Sequence, residues 1–347
     1  MKALLLSKYR HLEIADVPAP IPGPNEVLVQ VAACGICGSD VHGYDGSTGR
    51  RIPPMVMGHE AAGLVAAVGH KVSEISIGNR VTFDSTVYCG GCDFCARGEI
   101  NLCDRREVLG VSCPDYRRAG AFAEYVVVPA RIVYRLPDQL SFAEAAMLEA
   151  VAVALHAVSL TPLAKDGTAL VVGAGMIGLL ILESLRAAGV SRVLVVDVDK
   201  SRLKLAENAK AAATVCSADP DFLSQITHFS DGRGVDVAIE AVGKSETVTL
   251  AIESVRKGGS VTLVGNLSAQ VSLPLQKVVT RQLRLQGSCA SAGEYPRAIG
   301  LLASGAIQVK PLISAIAPLE EGPKWFERLY AREANLMKVV LTPGVVS

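Results

Sequence analysis

The sequence predicts an α/β protein, with a mostly-β, turn-rich section followed by a doubly wound parallel sheet. Three observations carry that expectation. Hydrophobic residues make up 50% of the 347, but only 5% are aromatic and 32 are glycine, the balance of an aliphatic chain with many tight turns. After Ser141 the apolar spacing changes, from short β-rich runs to helical and then alternating strand–helix patterns. Finally, Gly173-Ala174-Gly175-Met176-Ile177-Gly178 follows a buried-strand pattern and opens a helical one.

Each element follows from its residues. Residues 27–31, 63–68 and 79–83 are β-rich, and prolines and glycines at 18–24 and 52–54 punctuate them. Residues 142–158 repeat their apolar positions with helical spacing. Beyond them, strands at 169–172, 193–196, 235–239 and 261–264 alternate with helices at 176–188 and 200–209. Residues 271–275 read as an edge segment, because an edge tolerates Pro274.

Lysine plus arginine and aspartate plus glutamate both number 34, so the net charge is zero. No basic stripe favours nucleic acid and no polybasic patch favours a membrane surface. The partner to expect is a small molecule recognised locally. The apolar run at residues 3–6 is too short for an export signal. Glu149 and the glycines interrupt the longer apolar stretches, which fall short of the ~20 unbroken residues a bilayer requires. A cytoplasmic protein is expected.

Cys89, Cys92, Cys95 and Cys103 lie within fifteen residues. The spacing C-x2-C-x2-C-x7-C lets one lobe (residues 86–105) surround a tetrahedral zinc, and four thiolates leave no position for a substrate. That makes it a structural zinc.

The GxGxxG sequence has the context of a dinucleotide site. Gly173 turns the chain and Gly175 admits a pyrophosphate to the backbone. Gly178 allows close helix–strand packing, and Met176 and Ile177 open the helix. Asp197, nineteen residues beyond Gly178, is placed to accept hydrogen bonds from ribose hydroxyls and to repel a 2′-phosphate, which favours NAD. Asp199 is the expected cap of the next helix, and Arg202 tempers the preference against NADP.

Cys37 and His59 form a second candidate metal site, and either Glu60 or Glu149 completes it. A carboxylate in the apolar run 147–151 is costly to bury unless it is paired or on a metal. Cys34 reads as a buried thiol.

These motifs, from GICGSDVH through GHEAAGLVAAVG and the cysteine lobe to GAGMIG, resemble the medium-chain, zinc-dependent alcohol dehydrogenases over essentially the whole chain. Within that family the chain looks most like the polyol branch, sorbitol (L-iditol) and galactitol-1-phosphate dehydrogenases included. The resemblance implies a GroES-like catalytic domain at residues 1–150 and 288–347 with a Rossmann domain inserted at 151–287. It implies two zinc ions per subunit, NAD, and oxidation of a secondary polyol hydroxyl to a ketone. Threonine and butanediol dehydrogenases are the alternative within enzymes, and a non-catalytic nucleotide-binding relative is the alternative outside them. In the polyol branch a glutamate replaces a cysteine ligand, and Glu149 holds that place in EAVAVALHAV, which favours it over Glu60. Ser39 and His42 would relay the substrate proton, and the Gly265 region would hold the nicotinamide. Homodimers or homotetramers are implied. The arginine and tyrosine of sorbitol enzymes are missing from residues 287–291, which leaves Tyr44 and the pairs Arg50–Arg51 and Arg117–Arg118 as candidates for substrate contact.

Overall fold

The computed structural model describes residues 1–113 and 116–344. The chain forms two compact units, one of residues 1–149, 295–304 and 309–347, the other of residues 150–294 and 305–308. Residues 288–294 thus lie in the second unit.

In the first unit the expected strands are Glu26–Gly35, Glu60–Val68 and Arg80–Phe83. They belong to a seven-stranded sheet in the order Val133–Arg135, Arg80–Phe83, Glu60–Val68, Glu26–Gly35, Lys338–Thr342 and Ile313–Pro318, with Tyr125–Pro129 also pairing with Glu26–Gly35. Alternate residues Val27, Val29 and Val31 point to one face, in a core that includes Leu4, Phe83, Phe122, Phe326 and Leu341. The register is what matters for function. Gly35 pairs with Glu60 on one side and with Val340 on the other. Cys37, two residues past Gly35, and His59, one residue before Glu60, therefore emerge at the same end of the sheet.

The second unit is built on six parallel strands in the order Ala213–Cys216, Arg192–Asp197, Thr168–Val172, Val235–Glu240, Val255–Leu263 and Arg284–Gly287. In chain order this is 3-2-1-4-5-6, the strand order of a dinucleotide-binding sheet. Leu170, Val172, Leu194, Val196, Ala238 and Val261 are buried, as strands covered on both faces require.

The structure departs from the sequence expectations at three places. Two edge strands, Ala213–Cys216 and Arg284–Gly287, carry no strong apolar signal because only one flank of each is paired. Residues 271–274 are irregular and Leu275–Thr280 is helical, so the sheet edge is Arg284–Gly287 and not 271–275. Pro274, which lacks an N–H, stands at the N-cap of that helix instead. The helical run 142–158 divides into Phe142–Ala145, capped reciprocally by Ser141 and Glu144, and Leu148–Ser159. By length and composition Phe142–Ser159 passes for a membrane span, yet 67% of it is buried within the protein.

Candidate active site and metal centres

At the end of the first unit's sheet, one ligand atom each from Cys37, His59 and Glu60 lie within 4.8 Å of one another. His59 and Glu60 are buried, and Cys37 is half-buried. Gly35 makes room for this arrangement, because a Cβ there would collide with the Glu60 carboxylate. A thiol, an imidazole and a carboxylate are a donor set that zinc accepts, and three protein ligands leave a fourth position free. The His59 Nδ1 is buried without a hydrogen bond and stands 3.5 Å from Asp40 Oδ1. Glu149 lies outside the ligand group, with its Oε1 3.3 Å from Ser85 Oγ.

A ring of buried charge surrounds these groups. Glu60 Oε2 pairs with Lys338 Nζ at 2.5 Å, both side chains being almost wholly buried. Arg51 donates to Asp40 Oδ1 through Nε (3.1 Å) and Nη2 (2.8 Å), and its Nη2 also reaches Ser39 Oγ at 3.2 Å. Burial alone would raise the Asp40 carboxyl, but His59 and Arg51 outweigh it and hold that carboxyl well below the usual range. Burial likewise opposes the charge on His59 and on Lys338. Asp40 and Cys37 nevertheless raise the imidazole, and Glu60 and Cys37 raise the ammonium. The Glu149 carboxyl goes up, first through burial and then through the like charge of Glu60. Cys34 is a buried thiol, and desolvation keeps it well above its ordinary pKa.

Ser39 is exposed on the short helix Gly38–Gly43, whose N-cap is Cys37, with Asp40 reaching back to the Cys37 N–H. His42 lies one turn further, and its pKa is depressed by burial and by Arg332.

The four thiols of the cysteine lobe come together, each offering its sulfur within 4.8 Å of the others. Cys92 and Cys95 are 3.5 Å apart, and Cys89 and Cys95 are 3.9 Å apart. Backbone N–H groups point at the sulfurs, Cys89 N at Cys103 Sγ (3.2 Å) and Gly91 N at Cys89 Sγ (3.4 Å). Arg105 Nη2 adds a charged donor to Cys89 Sγ at 3.4 Å. At Cys89 these donors favour thiolate, and its thiol is lowered to about 6, with the Gly91 N–H the largest cause, whereas burial pushes the Cys95 thiol up to about 11.

In the second unit the glycine-rich turn leads into the helix Met176–Ala187, with Gly175 at its N-cap. A Cβ at Gly178 would collide with the Gly173 carbonyl, whereas one at Gly175 would meet only Arg202 Nη1, at 4.0 Å. The turn is packed tight below and open above the helix N-terminus, the shape a pyrophosphate requires. Asp197 is buried, and its Oδ2 and Oδ1 accept N–H bonds from Ala174 (2.6 Å) and Asp199 (2.9 Å). Asp199 caps the helix Lys200–Asn208 through Ser201 N.

Comparison with known proteins now decides the family. Residues 23–138 match the alcohol dehydrogenase GroES-like domain, and residues 177–304 match the zinc-binding dehydrogenase domain. Sorbitol dehydrogenase of Bacillus subtilis strain 168 is 34% identical over 99% of this chain and 98% of its own length. This chain belongs to the zinc-dependent alcohol dehydrogenase family. Among solved structures, galactitol-1-phosphate dehydrogenase from Escherichia coli aligns with a TM-score of 0.91 at 28% identity, covering 99% of this chain and 100% of that one. A structure described as a zinc-binding dehydrogenase from Sinorhizobium meliloti 1021, bound to NADP, aligns with a TM-score of 0.89 at 33% identity over 99% of both chains. Relatives named for polyols place this dehydrogenase with the polyol branch, and its fold is a GroES-like unit combined with a Rossmann unit.

The residues offered for substrate contact fare differently. The Tyr44 ring of the dehydrogenase is buried against Phe326 and Tyr330, and its hydroxyl lies 2.8 Å from the Arg10 carbonyl and 2.5 Å from Glu327. It is buried, with its hydroxyl engaged within the same unit. Its neighbours on the Gly322–Tyr330 helix, far away in sequence, are what bury it. Arg51 is committed to Asp40, and Arg118 pairs with Glu26 and with Glu107 (2.9 Å for the latter). Only Arg50 and Arg117 of the two pairs are exposed, and neither pair presents two free guanidinium forks. Asp40 and Lys338 are site residues that the sequence expectations did not name, and Arg51, expected as a substrate contact, instead holds Asp40. For Lys338 a signal existed, a lone ammonium in the apolar run 336–341, the same signal that singled out Glu149.

Proposed function

We propose that this dehydrogenase oxidises a secondary hydroxyl of a polyol, sugar alcohol or sugar-alcohol phosphate to a ketone, with NAD as the cofactor and a zinc held by Cys37, His59 and Glu60. The observation that carries the reading is the closing of a thiol, an imidazole and a carboxylate into one buried group that Asp40, Arg51 and Lys338 support. Bound there, zinc supplies Lewis acidity toward a hydroxyl, and the nicotinamide supplies the hydride acceptor. Glu149, whose carboxyl is pushed up by burial and by Glu60, stands by as an alternative ligand. A second, structural zinc belongs to Cys89, Cys92, Cys95 and Cys103.

The chain's own groups orient substrate and move the proton. Arg51 donates to Ser39 Oγ, which leaves the serine hydroxyl hydrogen free to point elsewhere and a lone pair free to take the substrate proton. His42, with its pKa depressed, is neutral near neutral pH and is able to accept that proton in turn. Asp197 supports NAD over NADP because a carboxylate repels a 2′-phosphate, although Arg202 beside Gly175 supplies an opposing charge. Homodimers or homotetramers in the cytoplasm complete the reading. The exposed Leu275 and Val279, next to the edge strand Arg284–Gly287, supply apolar area for pairing.

The test is NADH formation across neutral and phosphorylated polyols, with a zinc chelator in a parallel series. A chelator-sensitive signal on one polyol is the expected result. Turnover confined to threonine or vicinal diols would replace the substrate class, and silence on every alcohol would end the reading.

A further inference from the structure

Glu240 ends the strand Val235–Glu240, which lies between the strand of the glycine-rich turn and the strand leading to Gly265. It is completely buried. Its Oε1 accepts the N–H groups of Val242 and Gly243, both at 2.8 Å, while its main-chain carbonyl accepts those of Val264 (2.9 Å) and Gly265 (3.0 Å). The two turns that it grips are interlocked. A Cβ on Gly243 would stand 2.5 Å from the Gly265 carbonyl carbon, and one on Gly265 would collide with Gly243 N. Val242 also touches the first turn, since a Cβ on Gly173 would come 2.5 Å from Val242 Cγ2. The side chain therefore holds the turn that follows its own strand, and that turn is packed against the ends of the two neighbouring strands.

Burying a carboxyl group is costly unless both of its oxygens are well bonded. Here Oε2 is buried with no partner, so the fold retains an expensive residue where an asparagine or serine would also cap a turn. The strand order explains what it is for. With the adenosine half at Asp197 and the pyrophosphate at Gly173–Gly175, a dinucleotide laid across the strand ends continues over Glu240 toward Gly265.

We propose that Glu240 is a positioning residue for the nicotinamide half of the cofactor. It fixes the Val242–Gly243 turn against the Gly265 turn, so that the two form one pre-set wall. This rests on the reading that a dinucleotide binds this sheet, and it goes further by assigning the rigidity of that wall to one carboxylate. Pre-setting lowers the ordering cost of binding, so losing the carboxylate weakens the half of the cofactor that meets the wall and spares the other half.

The experiment measures dissociation constants of NADH by fluorescence and of AMP by calorimetry, on the zinc-loaded protein. Glu240→Ala is expected to weaken NADH by about tenfold or more and to change AMP by less than about twofold. Glu240→Gln keeps an oxygen that accepts both N–H groups and is expected to restore NADH binding to within about threefold. Gly265→Ala disrupts the same wall by collision and serves where Glu240→Ala does not fold. It is expected to repeat the split between NADH and AMP. Equal weakening of NADH and AMP would reveal general damage and overturn the proposal, as would unchanged NADH binding in Glu240→Ala or a failed rescue by glutamine. A wild-type protein that binds neither ligand would overturn the cofactor reading itself, and this proposal with it.

Discussion

The cysteine lobe draws all four of its thiols from fifteen consecutive residues, and backbone N–H groups are the main donors to the sulfurs. The group at Cys37, His59 and Glu60 is set instead by the register of Glu26–Gly35, Glu60–Val68 and Lys338–Thr342, and it is ringed by Asp40, Arg51, Lys338 and Glu149. The lobe has little apolar core of its own, since the helix Asp93–Ala96 buries no residue. A metal bound there, as proposed, would therefore set its shape. The inner group is held by a sheet and by ion pairs, so its geometry stands with or without metal. On the proposed reading, one centre would use metal to make structure, and the other would use structure to hold metal.

That contrast breaks most visibly if the two centres are disabled in turn. Cys37→Ser is expected to lower kcat/KM by about 10³-fold or more, ~4 kcal/mol of transition-state stabilisation, with circular dichroism and Tm close to wild type. Next in size is Lys338→Met, which strands the buried Glu60 carboxylate. Urea unfolding should show a loss of about 3–5 kcal/mol, and a loss under ~1 kcal/mol would mean that Glu60 relaxes toward solvent. Cys92→Ser, by contrast, should act on stability first. A Tm lower by about 5 °C or more corresponds to ~2 kcal/mol in a unit of this size, and an unchanged Tm would remove the structural role of the lobe. Arg51→Ala sharpens the picture of the inner site. Removing the residue that orients Asp40 and Ser39 should cost about 10–100-fold in activity, and equal activity would separate Arg51 from the proton path. Smallest is Asp197→Ala, expected to weaken NADH by about tenfold while raising the ratio of NADP to NAD use.

The same contrast explains what the sequence made legible. Local features were readable: four cysteines at ligand spacing, a GxGxxG between a strand and a helix, and Asp199 as a cap. Cys37 and His59 were readable too, because each lies in a distinctive short motif. Features made by register were less so. The sequence offered both Glu60 and Glu149, and register brings Glu60 beside Cys37 and His59, because Gly35 pairs opposite it, while Glu149 lies against Ser85. Asp40 and Lys338 lie 298 residues apart in numbering (338 − 40), and no periodicity connects them. The burial of Tyr44 was hidden for a similar reason, since the helix that buries it begins at Gly322. The sheet edge at Arg284–Gly287 was hidden because an edge strand needs little apolar alternation.

The central claim is that two zinc ions are bound and only the inner one carries the reaction. Its most direct test is the zinc content of purified His59→Ala, measured together with polyol turnover. The account predicts one zinc per subunit fewer than wild type, with the lobe still loaded, a folded protein and no turnover. Turnover at the wild-type rate, or loss of zinc from the lobe as well, would contradict it.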